Sequence, residues 1–258
     1  MDSFSEQLAH LATLDGVLSL LTLTLLEIVL GIDNIIFISI IAGKLRDKED
    51  QRKARSIGLI LALLMRVGLL FAITWIISLK TDLFTIFGHG FSGRDIILFA
   101  GGVFLLAKTT SEIHEKMDEA DDSEEEKTEK KKLATVSAVI MQIVLIDIVF
   151  SFDSILTAVG IVDGVLIMII AVIISMIIMF VFAEKVSDFI NAHPTLKMLA
   201  LAFLLMIGAL LVMESFDVHV PKQYVYSSMA FAFLVEMLNM RMRRKTAAKK
   251  KAAKDKIN

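Results

Sequence analysis

A chain of 258 residues that is 56% hydrophobic, with a mean hydropathy of +0.71, is too apolar for a soluble domain and reads as an all-α, polytopic membrane protein. The complete absence of cysteine excludes disulfides, thiolate metal sites and redox dithiols, and the five histidines fall in connections or at span ends, which leaves no zinc-type cluster inside the membrane. The formal charge of −2 conceals a strong asymmetry in where Lys and Arg lie.

Seven apolar runs follow one another, at 17–42, 57–79, 96–110, 133–161, 165–183, 198–213 and 225–240. Several exceed the roughly 20 residues that cross a hydrocarbon core, and the shorter third, sixth and seventh lean on flanking residues that snorkel. Uniformly apolar runs of this length must be helices, because backbone polar groups cannot go unpaired in lipid and barrel strands would alternate every second residue. The first sixteen residues lack Lys and Arg and the first run is too long for a signal h-region, so the first span is expected to remain in place.

With seven spans, connections 1–2, 3–4 and 5–6 share a side with the C-terminus and carry 6, 5, 2 and 9 Lys/Arg, against 0, 2, 0 and 1 for the N-terminus and the other connections. Positive residues favour the cytoplasm, which places the N-terminus outside and the C-terminus on the cytoplasmic side. The charged connection at 113–132 reads as a mobile, solvated loop. The basic tail at 241–258 reads as a topology signal that touches anionic lipid, too short an arm for a nucleic-acid role.

A shift of 120 places lays "EIVLGIDNI" at 27–35 on "DIVFSFDSI" at 147–155, acid on acid and Ile-Val on Ile-Val. The chain then divides into one three-span unit at 17–112, a second at 133–214 and an extra helix at 225–240. An odd number of spans per unit makes the repeat inverted, the arrangement that sets a binding site near the midplane between the halves.

Glu27, Asp33, Asp147 and Asp153 are the candidate metal ligands, joined by the Asn34 amide and the Ser154 hydroxyl. Each mid-span carboxylate costs about 2.5–3.5 kcal/mol to insert. Five acids, Glu236 included, face only Arg66 and Lys108 within the spans, an excess that calls for protons, cations or both. Glu27 and Asp33 are six residues apart, about 240° around a continuous helix, so a shared cavity requires a break at Gly31, with Ser151 as its weaker counterpart. Close helix packing is the competing explanation for Gly31. An oxygen-only donor set suits Mn²⁺, Mg²⁺ or Ca²⁺. Arg66 and Lys108 are expected as countercharges, although Lys108 and Glu112 also have the i, i+4 spacing of an ordinary helix-end pair. Gln142, Glu236 and Asn239 are expected as supporting polar groups, the last two sharing one helix face.

The stretches "LEIVLGIDNIIF", "GGVFLLAKTTSEIHE", "DIVFSFDSILTAVG" and "FDVHVPKQYVYSSMAFAFLVEMLN" together resemble the TerC family of bacterial integral membrane proteins over about Leu20 to Asn239. The resemblance is to a short branch without C-terminal regulatory domains. It implies divalent-metal transport, with Mn²⁺ efflux from the cytoplasm foremost, and it matches the family's acidic signatures to Glu27, Asp33, Asn34, Asp147, Asp153 and Ser154.

The function expected is a metal carrier with proton exchange as its coupling, with the divalent ion as cargo, no permanently bound cofactor and lipid as its surroundings. The alternative is a non-transporting factor that assists insertion or assembly of membrane proteins, its acids serving structure. Nucleotide-binding and hydrolase motifs are absent, so no enzyme is expected.

Overall fold

This computed structural model describes residues 11–72, 82–86, 89–121, 134–159 and 164–254. They form seven helices and one hairpin: α1 (Leu14–Ala42), α2 (Lys48–Phe71), β1 (Asp82–Ile86), β2 (His89–Ser92), α3 (Gly93–Asp121), α4 (Val136–Val159), α5 (Val165–Asn191), α6 (Pro194–Glu214) and α7 (Lys222–Lys254). Each apolar run read from the sequence overlaps one of these helices. Five of them, α1, α2, α3, α5 and α6, are long and apolar enough to cross a membrane, and α4 contributes the shorter apolar stretch Val136–Phe152.

The boundaries follow local chemistry. Thr13 caps α1 by accepting from the Gly16 amide at 3.1 Å, and Pro194 opens α6 where its missing N–H removes no bond. Two ends depart from the sequence reading. α3 continues to Asp121, into the segment expected to be a loop, and residues 122–132 of that segment lie outside the described residues. α7 runs on to Lys254 because its Ala-, Lys- and Arg-rich tail is made of good helix formers. The hairpin between α2 and α3 has four residue pairs, with Phe84 stacked on Phe91 at 5.6 Å, and hydropathy gave no hint of it.

Helix packing is paired across the two three-helix units. α1 lies against α5, α2 against α4 and α5, α3 against α6, and α1 also touches α4, while α7 leans mainly on α6. Exchanging α1–α3 with α4–α6 turns the α1–α5 pair into the α2–α4 pair and returns the α3–α6, α2–α5 and α1–α4 pairs to themselves. Those contacts are compatible with an internal two-fold repeat.

Several glycines permit close approaches between helices. A Cβ on Gly31 would fall 2.3 Å from Met179 Sδ on α5, and one on Gly102 would fall 2.8 Å from the Gly208 carbonyl oxygen on α6. α1 is continuous through Gly31 and α4 is continuous through Ser151, so the expected helix break is corrected: Gly31 serves close packing.

Ion pairs identify which helix ends lie together. Lys44, just past α1, pairs with Glu112 and Glu115 of α3, and Arg52 of α2 pairs with Glu184 of α5. At the opposite end Arg94 of α3 pairs with Glu214 of α6. The first end is the one that gathers the Lys- and Arg-rich connections.

Candidate functional site

Glu27 on α1 and Asp147 on α4 align when the sequence is shifted by 120 places, and the fold brings both to Arg66 on α2. All three are almost wholly enclosed, at 1%, 3% and 3% exposure. Arg66 Nη1 lies 2.9 Å from Glu27 Oε2, and Nη2 lies 2.7 Å from Asp147 Oδ1. Arg66 Nε adds 3.3 Å contacts to both Asp147 oxygens. Charge-assisted bonds in such a dry setting are strong, and they relieve what would otherwise be a prohibitive burial of two carboxylates.

Helical spacing supplies the remaining polar groups. Residues seven apart return to the same face, so Asn34 joins Glu27 and Ser154 joins Asp147. Asn34 Nδ2 donates to Asp147 Oδ1 at 3.3 Å, which directs its Oδ1 away from the carboxylate, and that enclosed oxygen has no hydrogen-bond donor among the described residues. Ser151, one turn after Asp147, donates to Asp147 Oδ2 at 3.0 Å. Ser154 sits beside Glu27 and donates to the Ser151 carbonyl at 3.3 Å. Glu27, Asn34, Asp147 and Ser154 are thus gathered at one point with Arg66 as their direct countercharge.

Asp33 and Asp153 lie on α1 and α4, but their side chains fall outside the described residues. Among the described residues Glu27 and Asp147 meet no third carboxylate or histidine with which to form a metal-holding cluster. Lys108 pairs with Glu112 at 2.7 Å, and Glu112 is also held by Lys44 at 2.7 Å, so Lys108 belongs to the basic end. Partial burial pulls the Lys44 pKa down, but the bonds to Glu112 and Glu115 outweigh it and leave it raised, so this lysine keeps its charge. Glu236 faces Asn239, at 3.5 Å, and Thr195 at the start of α6, which also places this pair near the basic end. Gln142 on α4 has an enclosed Oε1 without a donor among the described residues, and no described bond joins it to the Arg66 cluster.

A cavity of about 50 Å³ touches the cluster through Asn34, Arg66 and Ser154 and reaches Glu214, Val220 and Tyr226. At roughly 10–15 Å³ per water this holds a few waters, or an ion with part of its shell. Glu214 marks the end opposite the basic connections. At the basic end, a wider hollow of about 750 Å³ is lined by Lys48, Arg52, Arg55, Glu184 and Asp188 but by none of the central cluster. Ser151 was named from the sequence only as a weak candidate for a helix break and not as a partner of Asp147, and Glu214 and Arg94 were not singled out. The i, i+4 spacing of Asp147 and Ser151 was the available signal for the first, whereas the other two depend on the α3–α6 packing.

The family model for the integral membrane protein TerC family matches residues 12–252. A UPF0053 protein of Haemophilus influenzae is 47% identical over 227 residues, 88% of this chain and 94% of that protein. The UPF0053 inner membrane protein YgdQ of Escherichia coli K12 is 47% identical over 223 residues, 86% of this chain and 92% of its own length. The UPF0053 inner membrane protein YoaE of the same strain is 47% identical over 225 residues, 87% of this chain but 43% of that longer protein. No solved structure matches the chain.

Proposed function

Since the chain belongs to the TerC family of integral membrane proteins, we propose that it is a divalent-cation carrier of the bacterial inner membrane, exporting Mn²⁺ through the site built around Glu27 and Asp147. The observation that carries this reading is the meeting of equivalent carboxylates from two three-helix units at one enclosed point, beside a cavity that leads toward a single end of the bundle. Inverted-repeat carriers place their sites between the halves in this way. The donors at hand, two carboxylates, an amide oxygen and two serine hydroxyls, are all oxygen and favour a hard divalent ion. Asp33 and Asp153 are assigned to the same cargo, with exchange for protons as its coupling. The names of YgdQ and YoaE as inner membrane proteins support the location, and the basic end of the bundle is assigned to the cytoplasm.

A second reading has one observation in its favour. Arg66 already satisfies Glu27 and Asp147, as it would if the acids only held the helices of an assembly factor together. Purified protein in proteoliposomes separates the two. Uptake of Mn²⁺, with Mg²⁺ and Ca²⁺ as comparisons, is expected for a carrier, and no flux of any of the three leaves the acids as structure.

A further inference from the structure

We propose that Arg66 is a tethered counter-cation, which takes the cargo's place between Glu27 and Asp147 whenever the cargo leaves and so lets the unloaded site return across the membrane. The inference rests on the transport reading above.

Arg66 occupies the position where an ion shared by the two carboxylates would bind, with Nη1 2.9 Å from Glu27 and Nη2 2.7 Å from Asp147. A divalent ion ligated by both would need those oxygens about 2.0–2.6 Å away, and it would repel a guanidinium in contact with the same atoms. The guanidinium cannot give up its charge, so it must move. The cavity bordered by Arg66, Asn34 and Ser154 gives it somewhere to go. Asn34 borders this cavity, and its Oδ1, enclosed and without a donor among the described residues, is an acceptor that Arg66 leaves unused and that a metal ion would use. Without any cation, two carboxylates would have to recross a low-dielectric interior unpaired, a step with a large penalty. Net transport therefore needs Arg66, whereas exchange of one cargo ion for another does not, because a site that is always loaded never recrosses unpaired.

The test uses the full chain in proteoliposomes, with radiolabelled Mn²⁺ followed in two modes: net uptake into metal-free vesicles and exchange across membranes with Mn²⁺ on both sides. Arg66→Gln is expected to lose net uptake by about tenfold or more while retaining exchange; Arg66→Lys, a tethered cation without the guanidinium fork, recovers part of the net uptake. Folded Arg66→Gln that loses both modes, or that retains wild-type net uptake, overturns the inference. Wild-type protein inactive in both modes sinks the transport reading instead. Should Arg66→Gln not fold, modification of wild-type protein by an arginine-specific dicarbonyl, read at Arg66 by mass spectrometry, decides the question. Mn²⁺ is expected to raise modification as the guanidinium leaves its carboxylates, and unchanged or lower reactivity overturns the proposal.

Discussion

Arg66 holds Asp147 more firmly than it holds Glu27: Nη2 lies 2.7 Å from Asp147 Oδ1 with Nε 3.3 Å from both oxygens, while Arg66 gives Glu27 a single bond at 2.9 Å. Asn34 and Ser151 also donate to Asp147. The two acids, equivalent in the sequence repeat, are therefore unequal in the folded protein. Asp147→Asn puts an amide where four donor groups converge, which places it among changes that break a buried pair at about 3–5 kcal/mol. Glu27→Gln removes one charge-assisted bond, nearer 1–3 kcal/mol. Unfolding in detergent micelles is expected to show the larger loss for Asp147→Asn, and equal losses would contradict the asymmetry.

Asp33 and Asp153 lie six residues beyond Glu27 and Asp147 on unbroken helices, about 240° around the axis, whereas Asn34 and Ser154 return to the cluster's face. If these acids serve the cargo, Asp33→Asn and Asp153→Asn each abolish Mn²⁺ flux in proteoliposomes while changing stability little. Asp121→Asn, at the end of α3, leaves flux intact. Full flux in both site variants would remove Asp33 and Asp153 from the ligand set.

The seven helices and the acid positions were legible in the sequence because burying charge in a long apolar run is costly enough to leave a visible mark. Arg66 stood out for the same reason. The partnership among Glu27, Asp147 and Arg66 was only partly legible: spacing along one helix shows which residues share a face, but not which neighbouring helix supplies the countercharge. Lys108 illustrates the limit, since its pairing with Glu112 and the arrival of Lys44 on the same carboxylate depend on how α1 ends against α3. Gly31 stayed open between a helix break and close packing, because a glycine within a helix signals both equally well, and only the position of Met179 decides for packing.

Gly31 and Gly102 should differ in tolerance. A Cβ on Gly31 meets the thioether of Met179, a flexible side chain that can turn aside. A Cβ on Gly102 meets the Gly208 carbonyl at 2.8 Å and the Val212 amide nitrogen at 2.9 Å, backbone atoms that move only if α3 and α6 separate. Gly102→Ala is expected to lower stability by about 1–3 kcal/mol, as overpacking does, and Gly31→Ala by clearly less. A melt in detergent showing the reverse order would mean that Met179 is the more rigid neighbour.

The cavity beside Arg66 ends near Glu214 and Val220, opposite the end that gathers Lys44, Arg52 and the other basic residues. If basic residues mark the cytoplasm, the site is reached from the periplasm, and Arg94 paired with Glu214 stands at its mouth. The native chain has no cysteine, so single-cysteine variants report position without background. Leu210→Cys, lining the cavity, is expected to react with a membrane-impermeant thiol reagent added to intact cells of a Gram-negative host. Asn191→Cys, lining the hollow at the basic end, should react only after the inner membrane is permeabilised. The opposite labelling pattern would invert the orientation and place the cavity mouth in the cytoplasm.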